Sequence, residues 1–135
     1  MDPCEFCRIV DGEGDAHRVY EDEETLAFLD AEPAAPGHTL VVPRAHHESL
    51  FAADEATATA VFRTARTVAR AIERTLSPDG FSLFHTSRDI VGNVTHAHVH
   101  LVPRHADDHI RLSLARDPLP EDEGARLADR IRDGL

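Results

Sequence analysis

The sequence predicts an α+β fold: an antiparallel sheet with one long helix packed on it. Three observations lead there. Short apolar runs alternate with turn-rich stretches, as in small sheets. Residues 55–76 carry apolar side chains at helical spacing. Residues 96–102 alternate strictly, with histidine at every second position and Ala97, Val99 and Leu101 between them.

The elements follow in order. Residues 4–12 read as a short turn or helical start that ends near Gly12 and Gly14. Residues 18–21 and 25–30 read as a hairpin around Asp22-Glu23-Glu24, and 39–42 as a short apolar strand between His38 and Pro43. Asp54 is placed to cap a helix, with Glu55 in its first turn. Behind it Ala58, Val61, Phe62, Ala65, Val68, Ala69, Ile72 and Leu76 form the apolar stripe. Arg63, Arg66, Arg70 and Arg74 lie mainly on the other side, and Ser77-Pro78-Asp79-Gly80 stops the helix. Two more strands are expected over 81–86 and 96–102, the second ended by Pro103. Residues 121–132 suggest a terminal amphipathic helix carrying Leu127 and Ile131. The length of 135 residues fits one domain, 1–135, with no internal repeat.

Composition narrows the function. The chain has 25 acidic and 14 basic residues, for a net charge of −11, and every basic residue is arginine. Phosphate backbones select basic surfaces, so a nucleic-acid-binding role is not expected. No apolar run approaches a membrane span and no signal pattern opens the chain, which makes a cytoplasmic location the expectation. The acidic excess without lysine suits a halophilic protein, in which concentrated salt screens the repulsion. A GC-rich genome would also favour arginine over lysine, but it does not account for the excess of carboxylates.

The histidine row carries the most functional information. On a strand His96, His98 and His100 share one face, while Ala97, Val99 and Leu101 pack on the other. Alternate strand residues lie about 6.6–6.8 Å apart, which separates His96 from His100 by about 13 Å. With metal–nitrogen bonds of about 2.0–2.1 Å, one ion shared by all three would need a sharp bend. An extended anion such as a nucleotide phosphate suits the row better. Cys4 and Cys7 have zinc-knuckle spacing, which leaves metal binding, buried thiols and redox chemistry open, although the βαβ context of a redox pair is absent.

The run His96-Ala97-His98-Val99-His100, followed by Leu101-Val102-Pro103-Arg104, resembles the histidine triad (HIT) family of nucleotidyl hydrolases and transferases. Three further segments match in order and spacing: Cys4-Glu5-Phe6-Cys7-Arg8-Ile9, Leu26-Ala27-Phe28-Leu29-Asp30, and residues 36–46 from Pro36-Gly37-His38 to Arg44-Ala45-His46. The resemblance spans about 4–104, leaving 105–135 as a C-terminal extension. It implies a five-stranded sheet, a homodimer and a purine-nucleotide substrate, whose P–N or P–O bond is hydrolysed. It makes His98 the nucleophile and His100 a phosphate-binding partner. Asp30 would hold the ribose hydroxyls, and Phe6, Ile9, Phe28 and Leu29 would wall the base. The same resemblance completes a structural zinc site with Cys4, Cys7, His46 and His96, with His47 as a competing ligand. His17, His38, His85, His105 and His109 are expected to have no special role.

Two departures bear on the leaving group. Family members commonly place Gly-Gln, Ser or Thr, and Val ahead of the triad, whereas this chain has Val91-Gly92-Asn93-Val94-Thr95. Asn93 is then the candidate phosphate donor. An Asn often ends the preceding strand, and here the nearest residues are His85, Thr86 and Ser87. Other readings of the same residues are a dinucleoside polyphosphate hydrolase, a non-catalytic purine-nucleotide-binding protein, and a zinc hydrolase using the histidine row.

Overall fold

The computed structural model describes residues 4–87 and 96–135. Five strands form one antiparallel sheet: β1 (Arg18–Glu21), β2 (Thr25–Leu29), β3 (Thr39–Pro43), β4 (Gly80–Phe84) and β5 (Val99–Arg104), in the spatial order β1-β2-β3-β5-β4. Three helices accompany it: α1 (Glu5–Val10), α2 (Glu55–Leu76) and α3 (Glu121–Asp133). The expected α+β architecture and its long helix are both present.

Both faces of the central strands are covered, which is why β2 and β3 read as continuous apolar runs rather than alternating ones. One face sends Ala27, Val41, Val99 and Leu101 against Val61, Ala65, Val68 and Ile72 of α2. The other sends Leu26, Phe28, Leu40 and Val42 against Cys4, Phe6 and Ile9 around α1. The β1–β2 turn is pinned by Asp22, whose Oδ1 accepts the N–H groups of Glu24 and Thr25, both at 2.8 Å. Asp54 caps α2 by accepting the Thr57 N–H at 3.1 Å, as its position predicts. Gly37, at φ +92°, lies where a Cβ would come within 2.9 Å of Leu76 and 3.2 Å of Pro103. Only glycine fits that turn, which delivers His38 to the start of β3.

Three expectations are corrected. Phe62 and Leu76 belong to the helical stripe by spacing, yet both are exposed, because the sheet covers only the narrower face of α2 centred on Val61, Ala65, Val68 and Ile72. The last strand begins at Val99, not at 96. The Ala97 N–H donates to the His47 carbonyl at 2.7 Å, and the His98 ring donates to the His96 carbonyl at 2.8 Å, so this backbone is bonded to a loop and to itself instead of to a ladder. Pro103 lies inside β5 and pairs with Phe81 of β4. The β3 register on the other side stops at Leu101, so no ladder bond there requires its missing N–H.

Candidate active site and metal centre

The C-x-x-C pair opens α1. Cys4 is its N-cap, and its Sγ accepts the Cys7 N–H at 3.1 Å, so helix geometry brings both sulfurs to one end. His96 arrives from the segment before β5 and is fully buried; its Nδ1 lies 3.4 Å from the sulfurs of both Cys4 and Cys7. His46, just beyond β3, places Nδ1 3.1 Å from the Cys7 sulfur. One donor atom from each of the four residues falls within 4.8 Å of every other. The His96 Nε2–H donates to the Pro43 carbonyl at 2.8 Å, which fixes the tautomer and leaves the Nδ1 lone pair facing the thiols. Two sulfurs and two imidazoles at these separations suit a tetrahedral ion with bonds of about 2.0–2.3 Å. The cluster can hold a metal. His46 completes it, while His47 contributes its backbone carbonyl to Ala97.

Beside this cluster lies a cleft of about 780 Å³. Phe6, Ile9, Phe28, Leu29, Asp30, His98 and His100 all line it, so seven residues singled out from sequence converge on one cavity. Phe6 joins the two sites, packing edge-on against His98 with ring centres 5.1 Å apart and against His96 at 6.2 Å. The three histidines therefore do not act as one row: His96 turns to the cysteines, while His98 and His100 face the cleft. Asn93 lies outside the described residues.

The tautomers of His98 and His100 follow from their partners. His98 donates Nδ1–H to the His96 carbonyl, so its Nε2 carries a lone pair. Burial pushes its pKa down against that hydrogen bond, and the ring stays neutral. His38 sits beside His100 and reverses the pattern there. The Ala34 N–H donates to His38 Nδ1 at 3.0 Å, so His38 must carry its proton on Nε2. That Nε2–H donates to His100 Nδ1 at 2.9 Å, with Asp30 Oδ2 at 3.5 Å. His100 then holds its own proton on Nε2. Burial first, then the neighbouring His98 and His38, push the His100 pKa down to about 4. Its ring stacks on Phe84 at 4.5 Å. Two adjacent neutral imidazoles thus present opposite chemistry, one a nucleophilic nitrogen and the other a donor.

Asp30, His38 and His100 also place donor atoms close together, in a set reminiscent of a two-histidine, one-carboxylate metal site. The Ala34 amide argues against that use. It occupies the Nδ1 lone pair of His38, so Nε2 keeps its proton and cannot ligate.

The sequence singles out no role for His38 or His85, and the structure hydrogen-bonds each of them to the triad segment. His38 fixes the tautomer of His100. His85 donates Nδ1–H to the His98 carbonyl at 2.9 Å and accepts the Leu50 N–H at 3.2 Å, tying the loop after His46 to the triad. The signal for His38 was its register: Leu40 pairs with His100, which makes His38 a diagonal neighbour of that ring.

The HIT domain profile matches residues 11–107. The chain belongs to the HIT family. Among relatives, the adenylylsulfatase HINT3 of Arabidopsis thaliana is 31% identical over 133 residues, covering 96% of this chain and 68% of that protein. The crystal structure of a HIT family protein from Bacillus anthracis matches with 33% identity and a TM-score of 0.90, covering 99% of this chain and 98% of that one. A zinc-bound histidine triad family protein from Mycobacterium smegmatis matches with 36% identity and a TM-score of 0.75, covering 98% and 96%. The relatives thus include an adenylylsulfatase, a protein described as a histidine triad nucleotide-binding protein from Sulfolobus tokodaii, at 31% identity, and a zinc-bound HIT protein.

The hydrogen bond between His38 and His100 can be tested for a positioning role. His38→Ala would free His100 to take either tautomer, and if His100 serves turnover of a nucleotide in this cleft, kcat should fall about 10–100-fold with a smaller change in KM. His38→Gln, whose amide can accept from Ala34 and donate to His100, should recover part of that loss. Equal kcat in wild type and His38→Ala would show that the relay is idle.

Proposed function

We propose that this chain hydrolyses a P–N or P–O bond of a purine nucleotide through a nucleotidyl-His98 intermediate. The observation that carries the reading is the pair of opposite tautomers on His98 and His100 in a cleft that also contains Asp30. The His98 Nε2 lone pair attacks the α-phosphorus, and the bond to the leaving group breaks. The His100 Nε2–H donates to a non-bridging oxygen where charge develops. Water then attacks the same phosphorus, the P–N bond to His98 breaks, and a nucleoside monophosphate is released. Asp30 accepts hydrogen bonds from the ribose hydroxyls, and Phe6, Ile9, Phe28 and Leu29 enclose the base. Asn93 is assigned to phosphate by its place ahead of the triad.

Cys4, Cys7, His46 and His96 would hold one structural zinc in this reading. A structural site uses four protein ligands and has no open position, so the ion would brace α1 against the end of β3 and take no chemical step. Assembly is as a homodimer. β4 is an edge strand, and its Leu83 is exposed, as are Phe62 and Leu76 on α2, a surface suited to a second copy. Among the described residues, no helix is long and apolar enough to cross a membrane.

The direct test is turnover of adenosine phosphoramidate, with diadenosine polyphosphates in parallel. Release of AMP from the phosphoramidate is the expected result. Binding of AMP without turnover of either substrate would reduce the protein to a nucleotide-binding module.

A net charge of −11 also sets an expectation for salt. The Debye length shrinks from about 10 Å at 0.1 M to about 3 Å at 1 M, so screening should relieve repulsion within and between copies. The melting temperature should rise from dilute buffer to molar potassium chloride, and the halophilic reading is lost if it stays flat or falls.

A further inference from the structure

The cleft has room for a nucleoside and stops at His100. Phe6, Ile9, Phe28, Leu29, Asp30 and Leu40 bring α1, β2 and β3 to its wall, and among the described residues β4 contributes nothing to it. β4 lies across β5 from β2 and β3. In the proposed reaction one side of the histidine pair is therefore given to the nucleoside, and the β4 side is left for the group that departs.

Phe84 stands on that side. It pairs with His100 in the β4–β5 register, so the two side chains share a face of the sheet. The rings form a file. Phe6 lies 5.1 Å from His98, His98 lies 5.0 Å from His100, and His100 lies 4.5 Å from Phe84. The last contact is a stack with only 11° between the planes. Core packing does not account for this ring. Phe84 belongs to neither hydrophobic cluster and stays 37% exposed after stacking on His100. Its neighbour Leu83 pairs with Leu101, whose side chain packs on the opposite, α2 face. Ser82, two residues back and on the same face as Phe84, is taken up by the Arg104 Nη1, which donates to it at 2.9 Å. What remains is a flat π surface at the last residue of β4, against the ring that would hold phosphate.

Displacement at phosphorus runs in line, with the attacking and leaving atoms on opposite sides. His98 attacks, and His100 holds a non-bridging oxygen. The leaving group then departs away from His98, where Phe84 stands beyond His100. The short distance from His100 to Phe84 is spanned by a spacer of about two or three atoms. A ring carried on a short amine arm reaches it, whereas a second nucleobase is set farther off by its phosphates.

We propose that Phe84 is a stacking platform for the leaving group, and that this chain favours nucleoside phosphoramidates of amines carrying a planar aromatic ring on a short arm. The inference rests on the nucleotidyl-His98 reading and names its leaving group. The His98–phosphorus bond forms as the phosphorus–amine bond breaks, and one water is consumed overall: its hydroxyl ends on phosphorus and its proton on the amine. The test offers the full-length protein the adenosine phosphoramidates of phenethylamine and cyclohexylethylamine together. Loss of each, followed by chromatography, gives the ratio of their kcat/KM values. The two rings are similar in size and apolar area, so the ratio isolates stacking. The wild type should prefer the phenethyl compound about three- to tenfold. Phe84→Leu should bring the ratio close to one, and Phe84→Tyr should keep it. Any disturbance of His100 acts on both compounds and cancels. A wild-type ratio near one, or the wild-type ratio in Phe84→Leu, overturns the platform and leaves the hydrolase reading standing. Loss of self-association in Phe84→Leu at an unchanged ratio gives the ring to an interface and overturns the platform as well. No AMP from either compound or from unsubstituted adenosine phosphoramidate removes the hydrolase reading and the platform with it.

Discussion

His98→Asn should lower turnover of adenosine phosphoramidate by about three orders of magnitude or more. The expectation comes from what each nitrogen of that ring does. Nδ1–H is committed to the His96 carbonyl, and Nε2 is the atom left to face the cleft. Asparagine can keep a donor near the Nδ1 position, so the backbone around His96 retains its partner. It has no nucleophilic nitrogen to replace Nε2. His98 is half-buried rather than central to either hydrophobic cluster, so the sheet should survive the change. Nucleotide binding, which draws on Asp30 and the apolar wall, should persist within a few-fold. Melting curves and AMP titration on the same preparation establish that the variant is folded and still binds. Wild-type turnover in such a protein would remove the covalent mechanism and leave activation of water as the route.

Local pattern accounts for the elements, and contacts distant in sequence account for what it missed. The hairpin, the cap at Asp54 and the stop at Ser77-Pro78 are short-range signals, and they appear where expected. The two cysteines, His46 and His96 are far apart in sequence; family resemblance grouped them, and composition could not have done so. The alternation of His96, His98 and His100 reads as one strand face. It fails at its first member because His96 bonds to Pro43 and faces the cysteines, interactions that need β3 and α1 already in place. The roles of His38 and His85 depend on strand register and on a loop crossing, neither of which is encoded within a window of neighbours. Exposure of Phe62 and Leu76 was likewise invisible, since periodicity marks an apolar stripe without saying how much of it the sheet will cover.

Loss of the metal centre should be the largest change in stability that one substitution produces. The purified protein should carry about one zinc per chain, as a two-cysteine, two-histidine set would. Cys4→Ser is the informative variant, because Cys4 has two separable tasks. Its sulfur caps α1 through the Cys7 N–H, and serine is itself a favoured cap, so that task survives the change. What is lost is a soft thiolate at the metal. Binding free energy at such sites is folding free energy, and a loss of about 3 kcal/mol or more is expected, equivalent to a fall of about 10 °C or more in Tm for a chain of this size. Wild type stripped by a chelator should melt with the variant, and adding zinc back should restore the wild type alone. Catalysis should follow stability, not precede it. His98 hangs from the His96 carbonyl and packs on Phe6, two residues beyond Cys4, so chemistry should hold at temperatures well below the lowered melt and fail with it. A protein purified without metal, whose melting temperature added zinc does not raise, would mean that the four side chains hold no ion.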